Sequence, residues 1–396
     1  MHRLLHHWTR HLFKSSLVVF ILLSTQYLNG SSLNALSSVP DWLQCDEEDD
    51  KTIVKYFGRD RPRCEAQRIQ NEANCWSDHG DWYWNSTQKG PHRNDPISKY
   101  KPCNAPHYGE HNPCRWMLDG PGLKYDWRPK TNCSIPENDY RTMDMPDFCE
   151  LMKGRGAIMI VGDSVSELTN LSWKNHILSR MGIRSCPEHT VPFTSGGSDP
   201  DIPPDVLRAC NNLTIYKFRD DWLRLNETKE TLDFFSSFDF NGLRWIDNID
   251  RLNISILIIN RGAHYTPNHE LLPEVNATLL YLENRYPDLN IVWRNTPHGH
   301  HMHKDYVLAE PLKRTKERPE VYKPGEGPYN YGNFREQNLL MEKLIRQHHP
   351  GVFYLDVFTP SILRADSHYD ALHICVPGPM DTWLEMLYNV FILIWR

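Results

Sequence analysis

Two short segments about 200 residues apart, Ile160-Val161-Gly162-Asp163-Ser164 and Asp370-Ala371-Leu372-His373, hold the three side chains that a serine nucleophile needs. A serine hydroxyl attacks poorly at neutral pH unless an imidazole takes its proton and a carboxylate holds that imidazole in the right tautomer. Ser164, His373 and Asp370 can fill those three roles. The apolar run from Ala157 to Val161 predicts a buried strand, Gly162 ends it, and a helical pattern follows. Ser164 therefore falls at a strand-to-helix turn. Each half also has a plainer reading, because Asp163-Ser164 ahead of a helix looks like an N-cap and Asp-x-x-His is a short pattern. Their joint occurrence, in this order, is what points to chemistry.

The elements that must position these groups are legible from residue 155 onward, where buried strands alternate with amphipathic helices. That alternation predicts an α/β domain built on a doubly wound, mostly parallel sheet. Strands are expected at 157–161, 213–218, 254–259, 289–293 and 352–357, each rich in β-branched or aromatic residues. Helices are expected at 165–181, 271–285, 333–348 and 380–394. Ligands of such sheets bind beyond the carboxyl ends of the strands, and Ser164, Asn260 and Arg294 all fall there. An amide at Asn260 can donate to a tetrahedral oxyanion, or it can cap a turn.

The densest histidine cluster is His298, His300, His301 and His303. It lacks carboxylates or thiolates at the spacing that fixes metal geometry. These are read as solvated loop histidines, with no metal expected and His300 a candidate substrate contact.

With 396 residues, 40% hydrophobic and 24% charged, the chain can build a full core. A net charge of −6 leaves no basic footprint for nucleic acid. Residues 1–29 combine a basic start with the apolar run Leu17 to Leu23, a secretory signal anchor or a cleaved signal peptide. As no Ala-x-Ala-like residues precede Ser31, the anchor is the preferred reading, attaching the protein to a membrane. Asn85, Asn132, Asn170, Asn212, Asn226, Asn253 and Asn276 begin glycosylation sequons.

A short stem at 30–40 leads into a segment, 41–150, that holds seven of the 10 cysteines. It shows little periodicity and many prolines and glycines, so it predicts an irregular, disulfide-held lobe ahead of the α/β domain at 151–396. Trp76, Trp82, Tyr83 and Trp84 cluster there and could stack on sugars or form the lobe's own core.

Strand, Gly-Asp-Ser, helix and a late Asp-x-x-His is a layout that resembles the GDSL or SGNH esterase and acyltransferase superfamily. Arg364-Ala-Asp366-Ser-His368-Tyr-Asp370-Ala-Leu-His373-Ile-Cys375-Val-Pro377-Gly378-Pro-Met-Asp381-Thr382-Trp383 is similar to the closing signature of the trichome birefringence-like polysaccharide O-acetyltransferases. Tyr125-Asp126-Trp127-Arg128-Pro129, then Cys133 and the Gly-Asp-Ser turn, repeats that family's order ahead of the serine. The resemblance spans about residues 75–390. It departs at Glu167 and Leu168, where plant members carry arginine and asparagine, and at Ala371, where they carry cysteine. Cys375 is kept, and its disulfide partner must differ or be absent.

The resemblance implies a three-layer SGNH-like catalytic domain. It also implies an O-acetyltransferase acting through an acyl-serine, in the Golgi lumen as a single-pass type II protein or secreted. The acceptor would be a polysaccharide or glycan and the co-substrate acetyl-CoA or another acetyl carrier, with no bound cofactor. Asn260-Arg261-Gly262 is similar to the family's Asn-x-Gly element, and Trp293 to Pro297 to a loop lining its cleft. Gly162, Asp163, Asn260, Gly262, Arg294 and His300 are thus the candidate oxyanion and substrate residues. An esterase with the same triad, and a carbohydrate-binding wall protein without turnover, are the competing readings.

Overall fold

Phe57 and Gly58, both at positive φ (50° and 67°), turn the chain between two short strands, Ile53–Tyr56 (β1) and Arg59–Pro62 (β2), which pair antiparallel. The computed structural model describes residues 51–84, 125–129, 140–180, 210–225, 243–264, 266–300, 322–368, 370–376 and 378–395. The expected anchor and stem lie outside these residues. Among the described residues no helix is long and apolar enough to cross a membrane.

The segment expected to be irregular holds a helix of 16 residues, Arg63–Asp78 (α1), directly after β2. Its buried residues Ala66, Ile69, Ala73 and Trp76 recur at spacings of three and four, which puts them on one face. Charged and polar neighbours obscure that stripe in the sequence. Gly80–Trp84 (β3) pairs antiparallel with Tyr125–Pro129 (β4), and Met145–Met152 (α2) starts on Asp144, whose carboxylate accepts the Asp147 N–H. Of the aromatic cluster, Trp76 is core, while Tyr83 and Trp84 are exposed.

The central sheet follows: Ala157–Gly162 (β5), the helix Ser164–Arg180 (α3), and Ile215–Arg219 (β6). Next come Asn248–Arg251 (α4), Ile254–Ile259 (β7), Asn268–Arg285 (α5) and Asn290–Arg294 (β8). After a 3₁₀ turn at Pro328–Asn333, the chain forms Phe334–His348 (α6), Phe353–Leu355 (β9), Phe358–Ile362 (α7) and Met380–Trp395 (α8). The strand order is β6-β5-β7-β8-β9, all parallel. The order reverses between β5 and β7, and that crevice is where a doubly wound sheet takes its ligand.

Strand residues alternate between two cores. Ile158, Ile160, Ile256, Ile258, Val292, Phe353 and Leu355 face one side, where they join buried residues of α1, α2, α3 and α8. Met159, Val161, Leu257, Ile259, Ile291, Trp293 and Tyr354 face the other, with residues of α4, α5 and α6. Both faces are covered, which is why the strands read as continuous apolar runs. Burying each such side chain contributes about 1.5–3 kcal/mol.

Cys149 on α2 is bonded to Cys210 just ahead of β6, which ties α2 to the edge strand of the sheet. Cys64, Cys75 and Cys375 are disulfide-bonded as well, so Cys375 does have a partner.

Candidate active site

Ser164 is the first residue of α3 and stands at the carboxyl end of β5 because Gly162 allows the turn. Gly162 has φ +149°, and a Cβ there would lie 2.7 Å from the Asn260 carbonyl oxygen and 2.5 Å from Ser166 Oγ. Asp163 caps the helix. Its Oδ1 accepts the Val165 and Ser166 N–H groups at 2.9 and 3.2 Å, and its carbonyl accepts the Glu167 N–H at 3.1 Å. Among the described residues the Ser164 N–H is left without an acceptor. It lies at the positive end of the helix, which suits an oxyanion forming beside Ser164.

Asp370 and His373 come from the loop between α7 and α8. The spacing of three is a turn held by one carboxylate. Asp370 Oδ1 accepts the Leu372 and His373 N–H groups at 2.8 and 2.7 Å, and Oδ2 lies 2.6 Å from His373 Nδ1. Because an ionised carboxylate only accepts, Nδ1 carries the proton, leaving Nε2 to accept from Ser164 Oγ at 2.7 Å. Burial alone would raise the Asp370 pKa. The hydrogen bond and charge of His373, with the two backbone N–H groups, outweigh it and hold the carboxyl below its ordinary value.

The loop is anchored from behind. The Cys375 N–H donates to the Ser367 carbonyl at 2.7 Å, and the buried Arg364 grips Asp366 with two bonds of 2.8 and 2.9 Å. Arg364 also lies 4.5 Å over the Trp82 ring, so the β3–β4 pair supports the loop.

Three of the residues expected at the oxyanion or substrate act elsewhere. Asn260 is buried, and its Nδ2 donates to the Arg294 carbonyl at 2.8 Å and to Thr296 Oγ1 at 3.3 Å. These bonds tie the ends of β7 and β8, the turn role rather than the oxyanion role. Arg294 is 1% exposed and lies beneath the serine turn, not against a substrate. Its Nη2 donates to Ser166 Oγ at 3.0 Å and is 3.7 Å from Asp163 Oδ1, while Nη1 donates to the Asn295 carbonyl at 2.9 Å. Burial pushes the guanidinium down to about 10, with Asp163 opposing, so it stays charged at neutral pH.

His300 is the third. It and His298 are buried, not solvated. Their rings meet edge to face at 5.1 Å, and His300 meets His368 at 4.5 Å. The His300 N–H donates to the Ala371 carbonyl at 2.7 Å, which pins the triad loop. Burial and the neighbouring histidines push His368 well below its ordinary value, so that ring is neutral. His301 and His303 lie outside the described residues, and among those described no group of three or more His, Cys, Asp or Glu could hold a metal.

Gly162, Asp163 and Gly262 do stand at the serine turn. The Ala263 N–H donates to Asp163 Oδ2 at 3.3 Å, which brings Gly262 alongside, and a Cβ on Gly262 would meet Thr296 Oγ1 at 2.0 Å. The two departures from the family pattern are accounted for locally. Glu167 pairs with Lys217 and, at 3.7 Å, with Arg219, while Leu168 is packed in the core.

A second His–Asp pair carries no spacing signal in the sequence: His264 Nε2 lies 3.0 Å from Asp221 Oδ2, past the carboxyl ends of β7 and β6. Adjacent acids at a strand end, Asp220-Asp221, were the available clue.

Replacing Asn260 with alanine is expected to lower stability by about 1–3 kcal/mol, because two buried acceptors lose their donor. The folded fraction should keep its turnover within about tenfold, since an oxyanion donor would cost 10² or more. Urea denaturation and ester turnover on the one variant separate the two roles.

The serine, its base and the orienting carboxylate thus meet at the carboxyl edge of a parallel α/β sheet, the arrangement of a serine acyl-transfer site. No known family profile matches the chain. Among solved structures, the periplasmic domain of a lipopolysaccharide acetyltransferase from Salmonella ser. Paratyphi A is similar over 70% of this chain and 97% of that one, with 11% identity and a TM-score of 0.35. A GDSL-like lipase from Parabacteroides merdae ATCC 43184 is similar over 60% and 96%, with 15% identity and a TM-score of 0.33. Values this low carry no functional inference. The hydrogen-bonded chain from Ser164 to Asp370 is what bears on function.

Proposed function

We propose that this protein is an SGNH-type O-acetyltransferase that moves an acetyl group to hydroxyls of a polysaccharide or glycan through an acyl-serine. The observation that carries the reading is the 2.7 Å contact of Ser164 Oγ with His373 Nε2, backed by Asp370 at 2.6 Å. In the first half-reaction His373 takes the Ser164 proton, the oxygen attacks the donor's acyl carbon, and the proton passes to the leaving group. In the second, His373 takes a proton from an acceptor hydroxyl, which displaces the serine. Water in that place would make the protein an esterase.

The sequence resemblance to the trichome birefringence-like family favours the glycan hydroxyl. Glu167 and Leu168, which depart from that family's pattern, are taken up by local structure, Glu167 in an ion pair and Leu168 in the core. Incubation with a labelled acetyl donor and a glycan panel tests the reading. Label on glycan is the expected result, and label appearing only as free acetate assigns an esterase.

We also place the α/β domain in the Golgi lumen, held by residues 1–29 or released. Glycans are then expected at Asn212 and Asn253, both exposed at positive φ of 60° and 49°. None is expected at Asn170, which is 5% exposed on α3. Mapping of glycopeptides from protein secreted by eukaryotic cells checks this, and an occupied Asn170 would contradict the fold around α3.

A further inference from the structure

Tyr329 is the most exposed large aromatic among the described residues, at 60%, and it is held there against local backbone preference. Tyr329 and Asn330 both have left-handed backbone, at φ 52° and 53°. For a bulky residue that conformation costs about 1–2 kcal/mol. The turn that imposes it is braced on every side. The Gly332 N–H donates to the Glu326 carbonyl at 3.1 Å, the Gly325 N–H to Asn333 Oδ1 at 2.8 Å, and the Asn330 N–H to the Gly327 carbonyl at 3.2 Å.

The ring is fixed as firmly as the backbone. Its centroid is 5.3 Å from that of His264, edge to face, and 6.2 Å from that of Tyr331, stacked. His264 is in turn set by Asp221, which is buried and gripped by Arg219 through bonds of 3.0 and 3.1 Å. The two ring contacts offset part of the backbone strain, yet the side chain stays largely exposed.

His264 ties it to the serine turn, because His264 follows Ala263, whose N–H donates to Asp163 Oδ2 at 3.3 Å. Burial, with the charges of Asp370 and Asp163, raises the neighbouring Tyr331 phenol above its ordinary value. Beside His264, Arg219 pairs with Asp221 and Lys217 with Glu167. Charges engaged with one another in this way suit a neutral ligand with an apolar face.

We infer that Tyr329, braced by His264, is the stacking platform for a neutral sugar ring of the acceptor, set beside Ser164. This rests on the acyl-transfer reading and names the acceptor side of the same site. The C–H face of a pyranose lies on the ring, and the pre-set side chain binds without an ordering cost.

The test measures binding rather than turnover. Neutral hexaoses of glucose, mannose, xylose and galactose are titrated calorimetrically into the full chain carrying Ser164→Ala, with and without a change at Tyr329. The parent is expected to bind at least one of the four. Tyr329→Gly should weaken that binding about tenfold, a loss of one stacked ring, and should change Tm little, because relief of the positive φ offsets the two lost ring contacts. Tyr329→Phe should bind within about twofold of the parent, since the face is kept. Leu339→Ala, exposed on α6, serves as a surface control with unchanged affinity.

Unchanged affinity in Tyr329→Gly, an equal loss in Tyr329→Phe, or no binding of any hexaose by the parent would each overturn the platform. Acetylation of Ser164 by p-nitrophenyl acetate needs no sugar. Its failure would sink the acyl-transfer reading separately.

Discussion

Ser164→Ala is expected to reduce acyl transfer by a factor on the order of 10⁴ or more while the protein stays folded. Among the described residues Ser164 Oγ is the hydroxyl hydrogen-bonded to His373 Nε2, and removing it leaves the proposed base with no proton to take. What remains is the backbone N–H of residue 164 and binding. The fold has little to lose, because the hydroxyl is half-buried and alanine suits the first position of a helix. A stability change under about 1 kcal/mol is anticipated. Turnover of an activated ester and a urea melt on the same preparation give both numbers. Near-normal turnover would remove Ser164 from the chemistry.

Arg294→Leu is expected to lower stability by about 3–5 kcal/mol, the usual cost of breaking a buried ion pair from one side. The leucine fills volume but leaves Asp163 facing buried surroundings without its counter-charge. Ser166 Oγ and the Asn295 carbonyl lose their donor at the same time. Arg294→Lys keeps the charge without the fork and should recover only part of the loss. The urea midpoints of the three proteins should fall in the order Arg, Lys, Leu. A midpoint for Leu equal to the parent would mean that Arg294 does not hold the serine turn. The same variant distinguishes support from substrate contact, because a substrate residue would change KM and leave the midpoint alone.

The parallel sheet was legible because its strands are buried on both faces and read as apolar runs. Ile254–Ile259 falls at 254–259 as expected, and Ala157–Gly162 runs one residue past its expected end. The triad was legible for a different reason: Asp370 and His373 are three residues apart, and a single Asx-type turn builds their contact locally. Helix α1 was missed because its stripe of Ala66, Ile69, Ala73 and Trp76 sits among eight charged or polar neighbours on the exposed side and is broken by no cap signal: Pro62 makes no side-chain cap.

Asn260, Arg294 and His300 stand at the edge of the sheet that the sequence predicts, and their side chains meet Arg294 and Thr296, Ser166 and Asn295, and His298 and His368 there. Position along a strand says which end a residue occupies, but not where its side chain points once the pleat and the neighbouring strands are set. Arg294 meets Ser166 across 128 residues, and no spacing rule reaches that far. The buried His298 and His300 illustrate the same point, since a polar run after a strand reads as solvent-facing until the loop after α7 closes over it.

The central claim is a covalent acyl-serine on Ser164, and rapid-quench mass spectrometry of the protein mixed with p-nitrophenyl acetate tests it most directly. The account predicts one acetyl group on the peptide that contains Ser164, absent from Ser164→Ala and strongly reduced in His373→Ala. Acetyl transfer proceeding at full rate with no label on that peptide would contradict it.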